Sequence, residues 1–234
     1  MPAYAVGMYL PRHFAVTDLA QITAFVDAAQ SADLVTFDGA KPVSTRLPVI
    51  WDRPESLTGT LADGRADFGR LLGHIALANE QWKTAQPGAQ ALAIAHGPQA
   101  YISPSWYESK ARHGRVVPTW NYEAVHLTGS IAFHQDPEWL RTFVTRLTRR
   151  HEDDREHQWA VSDAPPEYID GQLRAIVGVE LTITSIEAKQ KLSQNRGELD
   201  REGVIAGLLG EPGPDPAAIA AVMAAQLAIE GAEH

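Results

Sequence analysis

The chain has 234 residues, of which 44% are hydrophobic and 21% charged, with a formal net charge of −9 and no cysteine. This length and composition predict a compact globular protein with a sizeable core. No apolar run reaches the roughly 18 residues that cross a bilayer, and the N-terminal residues do not resemble a signal peptide. We therefore expect a cytoplasmic protein without disulfides, thiol ligands or a membrane segment.

The first half of the chain shows one helix followed by several short strands. Asp18 and Gln21 form a capping-box pattern at the start of a helix. The apolar residues of this segment recur at helical spacing: Leu19, Ile22, Phe25, Val26 and Ala29. Asp38-Gly39 suits a tight turn between two strands in residues 33–52. The remaining predicted elements are a strand at 56–61, a loop-to-helix junction and short helix at 73–84, and strands at 91–97 and 99–105.

The second half begins with a long predicted strand at 122–133. Asp136-Pro137 should end this strand and begin a helix over residues 137–152. Its apolar face is formed by Leu140, Phe143, Val144 and Leu147. A short helix near 166–175, a strand at 176–192 and two helices follow, with a Pro/Gly linker at 210–216 before the last helix.

This order of elements predicts the fold class. Six or seven strands with three or four outer helices indicate a mainly β, α+β protein built on a small antiparallel barrel. The glycine motifs of Rossmann and P-loop nucleotide sites are absent from the sequence. We expect a barrel domain at residues 1–210 and a helical extension at residues 211–234.

The sequence contains few motifs that would indicate a metal site, a serine hydrolase or a DNA-binding protein. The nine histidines form no H-E-x-x-H pattern, no cysteine can complete a zinc site, and no G-x-S-x-G elbow occurs. We therefore predict no metal site. The basic run at 146–157 is interleaved with acids at helical spacing, which is typical of a solvated helix face. Together with the acidic net charge, this makes direct DNA binding doubtful.

Two short segments carry possible phosphate ligands. Gly73 and His74 at a loop-to-helix junction could offer backbone N–H groups and a cation, or only a tight turn. In the strand ahead of them, Thr45 precedes Arg46, whose guanidinium could bind a phosphate or simply face solvent. The sequence leaves both alternatives open.

Residues 101–126 concentrate aromatic rings and polar donors. The set comprises Tyr101, Trp106, Tyr107, Lys110, Trp120, Asn121 and Tyr122. Rings with a few amide-like groups suit a flat heteroaromatic ligand. A packed hydrophobic cluster under a loop would look the same in sequence.

Several blocks in chain order resemble the FMN-binding negative transcriptional regulators of the PaiB type. They run from about residue 8 to residue 209: MYLPRHF, STRLPV, GHIALANEQW, GPQAYISPSWYESK, VPTWNYEAVHLTG, WAVSD, KLSQNR and GVIAGL. The resemblance implies a split β-barrel related to pyridoxamine-phosphate-oxidase-like flavoproteins. It also implies a homodimer that binds FMN in a groove between two barrels, to which both chains contribute.

The resemblance gives the candidate residues expected roles. It assigns the FMN phosphate to Thr45, Arg46, Gly73 and His74, with Asn79 holding the turn behind them. Trp120, Asn121 and Tyr122 would approach the flavin ring, with Asn121 at its polar edge. The further polar candidates near the pocket are Lys110, Lys191, Gln194 and Asn195.

This chain departs from the family pattern at two positions near the expected phosphate site. The family commonly has Arg and Pro where this sequence has Leu77 and Glu80, so a cation is missing and an acid is added. Three functions remain open at this point: a flavin-binding negative regulator acting directly or indirectly, an FMN-dependent oxidoreductase of unknown substrate, and a non-catalytic binder of FMN, haem or another flat ligand.

Overall fold

The computed structural model describes residues 7–54 and 67–232, so the strand predicted at 56–61 lies outside the described residues. The strands are β1 (Ala15–Val16), β2 (Ser31–Phe37), β3 (Pro42–Asp52), β4 (Arg70–Ala76), β5 (Gln90–Ile102), β6 (Thr119–His134) and β7 (Ile176–Lys191). The helices are α1 (Leu19–Ala29), α2 (Gln81–Thr84), α3 (Glu108–His113), α4 (Pro137–Glu152), α5 (Pro166–Leu173), α6 (Glu198–Leu209) and α7 (Pro214–Ala232).

The described strands form one antiparallel sheet in the order β1-β7-β4-β3-β2-β5-β6. A further pairing between β7 and β6 closes six of these strands into a barrel, and β1 pairs with Ala188 and Lys189 near the end of β7. The predicted mainly β barrel with outer helices is therefore confirmed. Closure removes the exposed strand edges that an open sheet of this size would leave.

Several local predictions agree with the structure. Gly39 at the turn between β2 and β3 has a φ of +94°, and the Asp38 carboxylate accepts hydrogen bonds from the amides of Ala40 and Lys41. Asp136 caps α4 by accepting from the amide of Trp139 at 2.8 Å. These short polar side chains satisfy amides that the turn and the helix leave unpaired.

Other local predictions are wrong. The run at 91–97 and the first part of the run at 99–105 form the single strand β5, because Gly97 and Pro98 lie within it and do not break it. This strand ends at Ile102, and Pro104–Trp106 form a short 3-10 helix. Gly73 and His74 do not lie at a loop-to-helix junction. They lie inside β4, paired with Val179 and Gly178 of β7, and the helix starts only at Gln81.

The chain divides into two compact units. The first combines the chain up to Ile22 with His96–Val125 and the chain from Glu187 onward; the second combines Thr23–Ala95 with His126–Ile186. The predicted boundary at residue 210 stays a prediction. Helix α7 contributes fully buried side chains, including Ile219 and Met223, to the core of the first unit.

The second unit contains the apolar interior of the barrel. Its buried side chains include Ala32, Leu34, Leu47, Val49, Leu71, Ala93, Val179 and Leu181. The cavity among them measures only about 10 Å³, which leaves no room for an organic ligand. A ligand of the second unit must therefore bind outside the barrel interior.

Helix α4 covers the outer face of the second unit's strands. Phe143 packs with Ile50 of β3 and Leu72 of β4, and Leu140 packs with Ile169 and Leu173 of α5. The predicted apolar stripe of α4 is thus confirmed. None of the described helices is long and apolar enough to cross a membrane.

Candidate functional site

Thr45 and Asn79 meet in the second unit. The Asn79 amide nitrogen donates to the Thr45 hydroxyl at 2.8 Å, and its amide oxygen accepts from the backbone N–H of Gln81 at 3.0 Å. The side chain of Gln81 in turn bonds Thr36 and the Leu34 carbonyl of β2. Asn79 therefore fixes the turn between β4 and α2 against β3, as its expected role of holding a turn requires.

Arg46 points to the opposite face of β3 from Thr45, because successive residues of a strand face opposite sides. Its guanidinium pairs with Asp33 on β2 at 3.1 Å, and its side chain is 60% exposed. The structure therefore separates the two neighbours that the sequence grouped around one phosphate. Arg46 remains an accessible cation.

Gly73 and His74 require a correction. A side chain at Gly73 would collide with Leu47 inside the barrel, so this glycine serves packing within the barrel wall. His74 lies on the outer face with its ring 5.7 Å from that of Phe143. Burial lowers the pKa of His74, which favours the neutral imidazole. Their assignment to the FMN phosphate stays a prediction, without the loop-to-helix junction on which it rested.

Leu77 and Glu80, the two positions at which this chain departs from the family pattern, lie on the turn that leads into α2. The Glu80 side chain is 79% exposed and stands 3.8 Å from Lys83. Exposure screens its charge, and Lys83 supplies a cation within one turn of it. Sequence reasoning missed Lys83, although its place directly behind the GHIALANEQW block could have indicated it.

Trp120 lies at the start of β6 in the first unit, with 46% of the residue exposed. Its indole N–H donates to Gln99 at 3.1 Å, and its ring meets that of exposed Tyr101 edge to face at 6.3 Å. An exposed indole held by a neighbouring strand offers an apolar wall to a flat ligand. Trp120 therefore suits the predicted contact with a ring system.

Asn121 is fully buried, with 0% of the residue exposed. Its amide nitrogen donates to the Ser193 hydroxyl at 3.0 Å, and it stands 3.5 Å from the sulfur of Met223 on α7. The predicted contact with the polar edge of a flavin stays a prediction, but the enclosed Asn121 side chain exposes none of its surface for it. Asn121 instead joins β6 to the turn after β7, because an enclosed amide needs an internal partner.

Two lysines of β7 lie among aromatic rings of the first unit. The ammonium of Lys189 donates to the Tyr9 carbonyl at 2.9 Å and lies 5.4 Å and 5.3 Å from the rings of Tyr9 and Tyr122. The ammonium of Lys191 lies 5.8 Å from the Phe14 ring. We call this set the lysine–aromatic cluster: Tyr9, Phe14, Trp120, Tyr122, Lys189 and Lys191.

Lys191 is the best-anchored member of the cluster. Its ammonium donates to the Thr119 hydroxyl at 2.7 Å and to the Trp120 carbonyl at 2.6 Å. Burial, followed by the neighbouring charges of Lys189 and Arg196, lowers the pKa of Lys191. Lys191 was predicted from sequence, whereas Lys189 was missed. Their alternation in one strand, which puts both on one face, was the available signal.

The other polar candidates have local partners. Gln194 closes the turn after β7 by accepting from the Leu192 amide and donating to the Gln190 carbonyl, both at 2.7 Å. Lys110 is exposed on α3 and donates to Ser105 at 3.0 Å. Asn195 is exposed on the same turn as Gln194. Their predicted place near a cofactor stays a prediction.

Residues 8–185 match the family model described as "Putative FMN-binding domain". The chain belongs to this family. It is 33% identical over 216 residues to the Bacillus subtilis "Protease synthase and sporulation protein PAI 2", covering 92% of this chain and 96% of that protein. An uncharacterised protein of Emericella nidulans is 35% identical over 192 residues, covering 70% and 74%. The predicted PaiB-type family and its cofactor FMN are confirmed.

Solved structures show the same fold. An FAD and haem binding protein from Mycobacterium smegmatis superimposes with a TM-score of 0.53 at 15% identity, covering 82% of this chain and 80% of that chain. A conserved hypothetical protein from Mycobacterium tuberculosis gives a TM-score of 0.52 at 11% identity, covering 81% and 94%. The predicted split-barrel class is confirmed.

The lysine–aromatic cluster fits the chemistry of FMN. An exposed indole can pack on the flat isoalloxazine ring, and partly buried ammonium groups suit its electron-rich, carbonyl-bearing edge. The second unit offers Arg46 and Lys83 as exposed cations for a phosphate. No group of three or more His, Asp or Glu side chains in the described ranges is placed to hold a metal ion.

Proposed function

We propose that this PaiB-type protein holds the flavin ring of FMN against its lysine–aromatic cluster and acts as a negative regulator of gene expression. The observation that carries the proposal is Lys191, a partly buried ammonium fixed on the Trp120 carbonyl beside an exposed indole. Bound FMN supplies hydride and electron transfer. Trp120 would exclude water from one face of the ring, and Lys191 would hold a positive charge at its edge.

The proposal includes a cytoplasmic homodimer whose two barrels share the cofactor groove. The exposed Trp120 and Tyr101 support an apolar surface at that groove, because large aromatic side chains are enriched where protein surfaces associate. Thr45 with Asn79, Arg46 and Lys83 stay separate candidates within the second unit for binding a phosphate, because Thr45 and Arg46 face opposite sides of β3. The mass of the native complex gives the subunit number and the flavin content together.

Regulation without direct DNA contact agrees with the charges on α4. Arg146 pairs with Asp52, Arg150 with Asp27, and Arg141 with Asp170. Arg146 and Arg150 of the basic run, and Arg141 ahead of it, are thus partly neutralised by acids of the same unit. With a net charge of −9, the chain lacks the cationic excess that drives binding to DNA phosphates. We therefore propose repression through a partner protein.

Titration of flavin-free protein with FMN tests the proposed ring site. Lys191→Met should weaken FMN binding by roughly tenfold to a hundredfold, since a charge-assisted contact contributes about 1.5–3 kcal/mol. Lys41→Met, at the exposed turn before β3, is the matched control and should bind FMN like the unmodified chain. Equal affinities for the two variants would remove Lys191 from the site.

An FMN-dependent oxidoreductase is the second candidate function. The observation that favours it is the pair of ammonium groups of Lys189 and Lys191, because positive charge beside a flavin favours its reduced, anionic form. Steady turnover of NAD(P)H with an electron acceptor would support this activity. Failure to turn over, together with loss of repression in cells carrying Lys191→Met, would support the regulator.

A further inference from the structure

A cleft lies in the second unit between α4 and the outer face of β3, β4 and β7. Its volume is about 400 Å³, which is within the range of small-molecule sites. One side is formed by strand residues such as Arg70 and Glu180, and the other by the first half of α4, including Trp139. The proposed flavin function uses none of these side chains.

The wall formed by α4 contains a stack of aromatic rings. The Trp139 ring stacks with that of His134, at 4.4 Å and 15° between ring planes, and with that of Phe143, at 5.6 Å and 22°, and part of Trp139 lines the cleft. The Trp139 ring rests on Gly178 of β7, where even a methyl group would come within 2.1 Å of it. The indole is thus held in place before any ligand arrives, which lowers the entropic cost of binding.

Acidic side chains outnumber basic side chains around the cleft. Four carboxylates and two guanidinium groups line it: Asp52, Asp136, Glu138 and Glu180, with Arg70 and Arg146. Both arginines pair with Asp52, at 3.2 Å and 2.7 Å. Four carboxylates against two guanidinium groups leave the cleft with an excess of negative charge, which would repel an anion.

Glu180 is the most enclosed of the four carboxylates of the cleft. Its side chain is 16% exposed, and the basic side chains near it within the described ranges are Arg70, with Nη1 at 3.8 Å, and His134, with Nε2 at 3.4 Å. Across the described part of the chain, His134 Nε2 has no hydrogen-bond partner. A largely enclosed carboxylate with only distant partners is costly unless a cation approaches it.

We propose that this cleft binds an organic cation, an amine carried on a flat or apolar body. The ammonium would pair with Glu180, and the body would lie on the indole of Trp139, where the ring face also attracts the positive charge. A bare metal ion is a poor fit, because no set of three ligating carboxylates or histidines is grouped within the described residues. The aromatic stack would also be unused by such an ion.

This cleft is separate from the phosphate candidates of the same unit. Arg70 begins β4, whereas the turn that contains Asn79 follows the end of the strand. Seven or more residues at ~3.3 Å each put about 20 Å between them. Binding in the cleft can therefore be tested without changing the groups proposed for FMN.

Calorimetric titration of the full-length chain with three compounds of similar shape but different charge tests whether the cleft prefers a cation. Benzylamine carries the cation, benzyl alcohol is its neutral counterpart, and benzoate is the anion. We expect benzylamine to bind at least about tenfold more tightly than either of the others. Its affinity should fall as salt is raised. Equal binding of the three probes, preference for benzoate, or no binding of benzylamine would overturn the proposal.

Variants locate the site. Glu180→Gln keeps the size of the side chain and should abolish the preference for benzylamine, whereas Glu167→Gln on exposed α5 is the matched control and should retain it. Trp139→Phe should weaken the binding of benzylamine more than the binding of benzyl alcohol. This second variant keeps the proposal testable if the Glu180→Gln variant does not fold. Unchanged selectivity in both cleft variants would overturn the assignment. The FMN content of all variants should equal that of the unmodified chain.

Discussion

Replacing Asn121 by alanine should destabilise the first unit. Asn121 is fully enclosed and donates to the Ser193 hydroxyl at 3.0 Å, while that hydroxyl approaches the Asn121 oxygen at 3.3 Å. A buried hydrogen bond contributes about 1 kcal/mol, and stranding its buried partner costs about 1–3 kcal/mol more. We expect a loss of about 3 kcal/mol, and hence a fall in Tm of about 9 °C at ~3 °C per kcal/mol.

Urea unfolding of Asn121→Ala, Ser193→Ala and the double variant measures this contribution. Each single change strands the other partner, so the double variant should lose less than the sum of the two, with a coupling of about 1 kcal/mol or more. Asn195→Ala, the same change at an exposed position of the neighbouring turn, should stay within about 0.5 kcal/mol. An unaltered unfolding free energy in Asn121→Ala with a clear loss of FMN affinity would refute the reasoning.

Three further predictions test packing, pH dependence and phosphate binding. Gly178→Ala should lower the folding stability by about 1–3 kcal/mol, because the added methyl group displaces the Trp139 ring. In thermal unfolding, the same change should lower Tm less when Trp139 is already alanine. Burial raises the pKa of Glu123 above its unfolded value, so the folded state binds more protons and loses stability as pH rises. The Glu123→Gln variant should therefore be more stable than the unmodified chain at neutral pH and equally stable below the ordinary glutamate pKa. The free energy of unfolding in urea, measured at both pH values, checks this. Arg46→Ala should weaken FMN binding by about 1 kcal/mol or more but change stability by less than about 1 kcal/mol, since its ion pair with Asp33 is exposed; unchanged flavin affinity would reject its phosphate role.

The sequence by itself determined the elements whose signals are local. The apolar spacing and Asp136 cap of α4, and the Asp38-Gly39 turn, agree with the structure because each depends on contacts between residues a few positions apart. Ordered motif blocks along most of the chain were enough to recognise the family and its fold. These blocks carry that information regardless of how the strands are paired.

The tertiary structure decided which candidate residues share a surface. Thr45 and Arg46 are neighbours in sequence but face opposite sides of β3, and Gly73 packs inside the barrel, because strand parity and pairing fix each direction. Asn121 was predicted to face a ligand, yet it binds Ser193, a residue 72 positions away. Such pairings depend on the closure of the sheet, which brings distant strands together, and no local pattern in the sequence records them.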